Sequence, residues 1–180
     1  MTMIILVTGG ARSGKSSFSE SLYENKEDVV YIATSKIYDK EMEERVILHR
    51  QSRPLSWRTY EGNYDLKKAV GEEKNYILDC VTVLLSNRMF DITKDEEFIS
   101  FQLQSQVENT VFNELKCLID EIRRRNYNLI MVTNEVGDSL VPESHIGRVF
   151  RDIQGRINQR IASVSDEVYL VCCGIPVKLK

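Results

Sequence analysis

The sequence predicts an α/β fold with a mostly parallel central sheet flanked by helices, and three observations predict it. Short apolar runs such as Ile4-Ile5-Leu6-Val7, Val29-Val30-Tyr31-Ile32, Tyr76-Ile77-Leu78 and Leu129-Ile130-Met131-Val132 read as strands buried on both faces. Segments with helical periodicity alternate with them, which is the pattern of a parallel sheet with crossover helices. The first run leads directly into Gly9-Gly10-Ala11-Arg12-Ser13-Gly14-Lys15-Ser16, which matches G-x-x-x-x-G-K-[ST], the phosphate-binding loop. With 180 residues the chain is expected to form one domain, 1–180, with room for a substantial core.

In order, a strand is expected over Met3 to Thr8 and a helix over Ser17 to Asn25. Asp28 to Thr34 reads as a second strand. A helix from Asp39 to about Arg53 ends before Pro54, since the residue preceding proline avoids the helical region. Met42, Val46, His49, Arg50 and Arg53 share roughly one side of it. Leu55 to Tyr60 reads as a strand ending at Glu61 and Gly62, and Tyr64 to Val70 as a short helix. Tyr76 to Cys80 is a strand carrying the carboxylate of Asp79 at its end. Val81 to Phe90 reads as a helix, Asp91 to Asp95 as a loop, and Glu96 to Arg125 as a long helix. In that helix Val107, Val111, Leu115, Leu118 and Ile122 form an apolar stripe suited to core packing. A strand over Tyr127 to Thr133, a helix over Glu143 to Ser163 and a strand over Glu167 to Cys173 complete the pattern. Gly174-Ile175-Pro176 reads as a turn before a last short strand.

Composition narrows the function classes. The net charge of −3 offers no basic excess to offset a phosphate backbone, so nucleic acid is not an expected partner. Arg123-Arg124-Arg125 reads as a solvated helix end, where cations favour the dipole. No stretch approaches the ~18 apolar residues of a membrane span, and the apolar N-terminal run is too short for a secretion signal. Cys80, Cys117, Cys172 and Cys173 show no metal-binding spacing and are expected to be reduced, mostly buried thiols of a cytoplasmic protein. Cys172 and Cys173 are expected on opposite faces of one strand.

In open parallel sheets ligands bind at the carboxyl ends of strands. The phosphate loop, Thr34-Ser35, Asp79 and Asn134-Glu135 all fall there. Gly9 and Gly14 permit backbone angles that let amides turn toward phosphate oxygens. Lys15 can reach the β and γ phosphates, and Ser16 can ligate Mg2+. Asp79 suits a second Mg2+ contact, direct or through water; the plainer reading is a helix N-cap. His49 beside Arg50 and Arg53 can stay neutral, because guanidinium groups disfavour a second cation. It would then serve as a nucleophile toward a phosphoryl centre, although a half-buried histidine of no chemical role has the same signature. Glu61 could accept from a guanine's N1–H and amino group or simply sit in a turn. Arg148, Arg151, Arg156 and Arg160 fit ion pairs with Glu143 and Asp152, or contact a phosphate or corrinoid. His145 reads as structural.

These residues together carry a resemblance. Val7 through Ser16, Tyr31-Ile32-Ala33-Thr34-Ser35, Glu41-Met42, His49-Arg50, Arg53-Pro54, Trp57-Arg58-Thr59, Val132 through Gly137, Val141-Pro142-Glu143, Phe150-Arg151-Asp152, Gly155-Arg156, Asn158-Gln159 and Gly174-Ile175-Pro176-Val177-Lys178 resemble the bifunctional adenosylcobinamide kinase/adenosylcobinamide-phosphate guanylyltransferase family from Met3 to Lys180. The resemblance implies a P-loop domain with a RecA-like sheet, a homotrimer, and two reactions of cobalamin biosynthesis. ATP or GTP phosphorylates adenosylcobinamide; GTP then donates GMP to adenosylcobinamide phosphate through a guanylylated histidine, releasing pyrophosphate. His49 matches that histidine by position, with Leu48 where relatives often carry a second one, and Asp79 stands where many relatives carry Glu. The implied nucleotide footprint comprises Gly9, Gly10, Ala11, Arg12, Ser13, Gly14, Lys15, Ser16, Ala33, Thr34, Ser35, Arg50, Gln51, Ser52, Arg53, Glu61 and Asp79, with Mg2+ on Ser16 and Asp79. A kinase without guanylylation and a nucleotide-switched binding protein are the alternative readings of the residues.

Overall fold

Seven strands form one sheet in the order β3-β2-β4-β5-β1-β6-β7. They are β1 (Ile4–Thr8), β2 (Val29–Ala33), β3 (Arg58–Glu61), β4 (Asn75–Asp79), β5 (Asn128–Val132), β6 (Glu167–Cys172) and β7 (Ile175–Lys178). All neighbouring pairs are parallel except β6 with β7. The computed structural model describes residues 2–35 and 53–180. The expected α/β fold with a mostly parallel sheet flanked by helices is therefore present. The helix expected over Asp39 to Arg53 lies outside the described residues except for its last position.

Alternation along each strand divides the core between two faces, because successive side chains point to opposite sides. Ile4, Leu6, Val30, Ile32, Tyr76, Leu78, Leu129 and Met131 pack against α2 (Val81–Thr93), α3 (Phe101–Arg125) and α4 (His145–Val164). Ile5, Val7, Val29, Tyr31, Ile77, Ile130 and Val132 face the other way, toward Tyr23, Trp57 and Phe18 of α1 (Lys15–Ser21). The stripe Val107, Val111, Leu115, Leu118 and Ile122 is fully buried, as its spacing predicts.

Several boundaries differ from the sequence reading, each for a local reason. α2 runs through the expected loop to Thr93, whose hydroxyl bonds back to the Met89 carbonyl at 2.8 Å. α3 starts only at Phe101. Ile99 is drawn into the core, its carbonyl accepts from Gln104 Nε2 at 3.1 Å, and Ser100 caps the helix through Leu103 N. Asn126 ends α3 in the left-handed conformation. The segment expected as a short helix over Tyr64 to Val70 is a 3-10 turn at Leu66–Ala69. Gly174 does turn the chain, but Ile175 and Pro176 already belong to β7. Proline is tolerated there because β7 is an edge strand.

Candidate active site

The phosphate loop leaves β1 at Gly9 and enters α1 at Gly14. Gly9 (φ 153°) and Gly14 (φ 98°) occupy backbone regions that side chains rarely adopt. A Cβ on Gly9 would also lie 2.3 Å from the Val171 carbonyl oxygen. The loop is pinned on both sides. The Gly9 carbonyl accepts from Glu135 N at 3.0 Å, and the Ser13 carbonyl accepts from Gly174 N at 2.8 Å. Lys15 is buried, and its ammonium donates to the Gly10 carbonyl and, at 3.5 Å, to Ser13 Oγ. Burial pushes the Lys15 pKa down, with Asp79 pulling the other way.

Strand register places the rest of the site. Glu61 pairs with Ala33, Ala33 with Asp79, and Asp79 with Val132, so the carboxyl ends of β3, β2, β4 and β5 stand level. One strand, β5, separates β1 from β4, and α1 reaches across it. Ser16 Oγ consequently donates to Asp79 Oδ2 at 2.7 Å, although 63 residues separate them. The Tyr31 hydroxyl donates to the same oxygen at 2.5 Å. The Arg53 guanidinium lies 3.2 Å from the centroid of the Tyr31 ring and bonds to Glu20 at 3.3 Å. Burial, reinforced by the Asp79 charge, raises the Tyr31 pKa well above its ordinary value. The helix cap that Asp79 could have supplied comes instead from Cys80, whose Sγ accepts from Val83 N at 3.4 Å.

These groups surround a cavity of about 690 Å3. Of the residues expected from the sequence, Ala11, Arg12, Ser13, Gly14, Lys15, Ser16, Ala33, Ser35, Arg53, Glu61 and Asp79 line it. Gly9, which is buried, and Gly10, which is exposed, are not among the lining residues. Thr34 is turned inward: its hydroxyl donates to the Cys80 carbonyl at 2.8 Å and accepts from Cys80 N at 2.9 Å, joining the ends of β2 and β4. His49, Arg50, Gln51 and Ser52 lie outside the described residues. Tyr31 was not among the expected site residues, because its position inside an apolar strand reads as core. Its hydroxyl was the available signal, since a buried phenol needs a partner.

A buried polar network supports the cavity wall at Asn134. Thr133 Oγ1 donates to Asn158 Oδ1 at 2.8 Å and accepts from Gln154 Nε2 at 3.0 Å. Asn158 Nδ2 holds the Asn134 carbonyl at 3.1 Å, and Thr82 Oγ1 accepts from Asn134 N at 2.8 Å. Both polar groups of the Asn134 backbone are thereby fixed by side chains from two helices.

Elsewhere, His145 is structural, stacked on Phe98 at 4.5 Å with Nε2 at 3.3 Å from Ile99 N. Arg151 pairs with Asp152, but Arg156 and Arg160 both pair with Glu108 of α3 rather than within their own helix. Arg124 and Arg125 bind Glu121 at the end of α3. The cysteines correct the sequence expectation. Only Cys80 is buried, and Cys117, Cys172 and Cys173 are exposed. Nor do Cys172 and Cys173 point to opposite faces, because Cys173 lies in the turn after β6. Among the described residues no helix is long and apolar enough to cross a membrane.

Ser16 and Asp79 present a hydroxyl and a carboxylate beside the phosphate loop. These hard oxygen donors suit Mg2+, which binds few protein ligands and takes its remaining ligands from water and phosphates.

The family profile of cobinamide kinase / cobinamide phosphate guanyltransferase matches residues 5–179. The bifunctional adenosylcobalamin biosynthesis protein CobU of Escherichia coli K12 is 44% identical over 99% of this chain and 100% of its own. The protein of that name from Salmonella typhimurium LT2 is 41% identical over the same shares. The bifunctional adenosylcobalamin biosynthesis protein CobP of Pseudomonas aeruginosa is 33% identical over 97% of this chain and 96% of its own. Among solved structures, the KaiC-like protein PH0186 from Pyrococcus horikoshii OT3 aligns with 93% of this chain and 70% of its own, at 13% identity and a TM-score of 0.47. A profile match and relatives that both run the length of the chain make this protein a member of the cobinamide kinase / cobinamide phosphate guanyltransferase family.

Proposed function

We propose that this protein phosphorylates adenosylcobinamide and then transfers GMP from GTP to adenosylcobinamide phosphate. The observation that carries the nucleotide chemistry is the meeting of Ser16 with Asp79 Oδ2 beside Lys15 in the phosphate loop. In the first step the substrate hydroxyl oxygen attacks the γ phosphorus. The bond to the β-bridging oxygen breaks, the nucleoside diphosphate leaves, and the hydroxyl proton passes to solvent. Phosphoryl transfer of this kind needs positioning and charge neutralisation more than covalent help from the protein. Lys15 would exchange its Gly10 carbonyl for phosphate oxygens, and Arg12 would add charge at the cavity rim.

The α phosphate requires a different group. His49 would attack the α phosphorus of GTP, expelling pyrophosphate and forming a phosphoramidate. A phosphate oxygen of adenosylcobinamide phosphate would then attack the same phosphorus. The P–N bond breaks, and adenosylcobinamide-GDP forms. Arg53, four residues after His49 in the sequence, is joined to the site through Tyr31 and Glu20. Glu61 would accept from the guanine edge. Mg2+ on Ser16 and Asp79 would draw charge from the phosphates during transfer. We infer also that the protein assembles as a homotrimer and works in the cytoplasm.

The test uses Mg2+ and GTP labelled at the α phosphate, followed by denaturation. The expected product is a protein-bound label, labile in acid, stable in base and absent from His49→Ala. A protein that acquires no label refutes guanylyl transfer through the chain. Phosphorylation of adenosylcobinamide is measured separately with γ-labelled nucleotide and should disappear in Lys15→Ala. Full activity of that variant would exclude the assigned role of the loop.

A further inference from the structure

β6 and β7 are joined by a two-residue turn in which both residues have positive φ, Cys173 at 53° and Gly174 at 79°. That is the requirement of a type I′ hairpin turn. Gly174 meets it without strain, whereas Cys173 is an uncommon residue for the left-handed region. The consequence is a close pair of thiols. Neighbours in an extended strand point apart, but here the turn swings Cys173 back, and the Cys172 and Cys173 sulfurs lie 3.8 Å from one another. Both residues are exposed.

We infer that Cys172 and Cys173 form a bidentate dithiol site for a soft thiophilic centre, and that its occupancy acts on the phosphate loop. The geometry favours a bridging atom over a disulfide. Consecutive Cα atoms are about 3.8 Å apart, below the roughly 4.4–6.8 Å usual for a disulfide, whose sulfurs must close to about 2.05 Å. A centre with bonds of about 2.3 Å to two thiolates in tetrahedral arrangement spans about 3.8 Å between sulfurs. The observed pair already has that span. Thiolate pairs select soft centres over the hard cations that oxygen donors bind. The thiol–thiol hydrogen bond pushes the Cys172 pKa up, so its thiol is not strongly activated and retention depends on attachment to both sulfurs.

The turn touches the phosphate loop backbone to backbone. Gly174 N donates to the Ser13 carbonyl at 2.8 Å. A Cβ built on Gly14 would come within 3.2 Å of Gly174 Cα, and one on Gly9 within 2.3 Å of the Val171 carbonyl oxygen. Backbone atoms make the nearest approach on both sides, so a shift of the turn is passed to the loop amides proposed to hold the phosphates.

Phenylarsine oxide is the probe. Two S–H groups give two As–S bonds, and the arsenic-bound oxygen leaves as water with the two thiol protons. One equivalent should remove two titratable thiols from the native full chain. Dimercaptopropanol should restore them, and an excess of 2-mercaptoethanol should not. In Cys172→Ser and in Cys173→Ser the adduct should be stripped by 2-mercaptoethanol, while Cys117→Ser should behave as wild type. The dissociation constant of a fluorescent GTP analogue should rise at least about fivefold on arsenylation of wild type and stay unchanged in both Cys172→Ser and Cys173→Ser. Removal of the wild-type adduct by 2-mercaptoethanol would overturn the dithiol site. Retention of the two-thiol adduct with unchanged GTP-analogue affinity would overturn the coupling to the loop.

Discussion

The Tyr31 hydroxyl donates to Asp79 Oδ2 at 2.5 Å, on the oxygen that also accepts from Ser16. The Tyr31 ring carries the Arg53 guanidinium on its face. One buried phenol thus links the carboxylate assigned to Mg2+ with the residue closing the segment that bears His49. Hydrogen bonds to a charged acceptor contribute about 1.5–3 kcal/mol. Tyr31→Phe keeps the ring under Arg53 and removes only the hydroxyl. Mg2+ dependence of GTP-analogue binding should shift to roughly tenfold higher Mg2+, while binding without metal stays near wild type. Tyr31→Leu, which also removes the aromatic face, should in addition lower guanylylation relative to kinase activity. An unchanged Mg2+ midpoint in Tyr31→Phe would remove Tyr31 from the positioning of Asp79.

Gly9 tests the loop backbone. An alanine there must adopt a φ of 153° and place its Cβ 2.3 Å from a carbonyl oxygen of β6. Strain at such positions costs on the order of 1–3 kcal/mol, and neither backbone can yield cheaply. Gly9→Ala should lower the urea midpoint and weaken GTP-analogue binding together. Gly10→Ala, with open space around its Cβ position, should leave stability within about 0.5 kcal/mol of wild type.

Thr133 sits at the centre of the network that holds Asn134. Thr133→Val preserves shape but removes the hydroxyl shared by Gln154 and Asn158, leaving buried polar atoms short of partners. A loss of about 1–3 kcal/mol in equilibrium unfolding is expected. Nucleotide affinity should fall as well, since the Asn134 wall loses its support. Wild-type stability in this variant would show that the network is dispensable.

Tyr76 governs part of the alkaline stability. It is fully buried, donates to the Glu73 carbonyl at 2.8 Å and accepts from Gly71 N at 3.0 Å. Burial, more than the Glu73 charge, pushes its pKa up to about 12. In the unfolded chain a tyrosine titrates near about 10. Above that pH the unfolded state releases a proton that the folded state keeps. Stability is therefore complete below about pH 10 and falls between about pH 10 and 12, by about 1.4 kcal/mol per pH unit for one such group. Tyr23 and Tyr31 shift the same way, again through burial first. Tyr76→Phe should be less stable at neutral pH but show a shallower alkaline decline. Parallel pH profiles for variant and wild type would contradict this.

The α/β class, the strands, the apolar stripe of α3 and the phosphate loop were legible in the chain itself. Each depends on local periodicity or on glycine at fixed spacing, and such signals survive without knowledge of the rest of the molecule. The motifs from Val7 to Lys178 likewise identified the family. Other features come from contacts between distant segments. Ser16 and Asp79 meet because β5 inserts between β1 and β4 and α1 bridges the gap. Thr34 stands at the right strand end, yet its hydroxyl is taken by the Cys80 backbone. Tyr31 looked like core and reaches the Asp79 carboxylate. Cys173 looked like a strand residue beside Cys172 and lies in a turn, because its left-handed backbone angle is set by how β7 folds back on β6. Local spacing determined which chemistry this chain can offer; the order of strands and the direction of buried polar groups decided which residues deliver it.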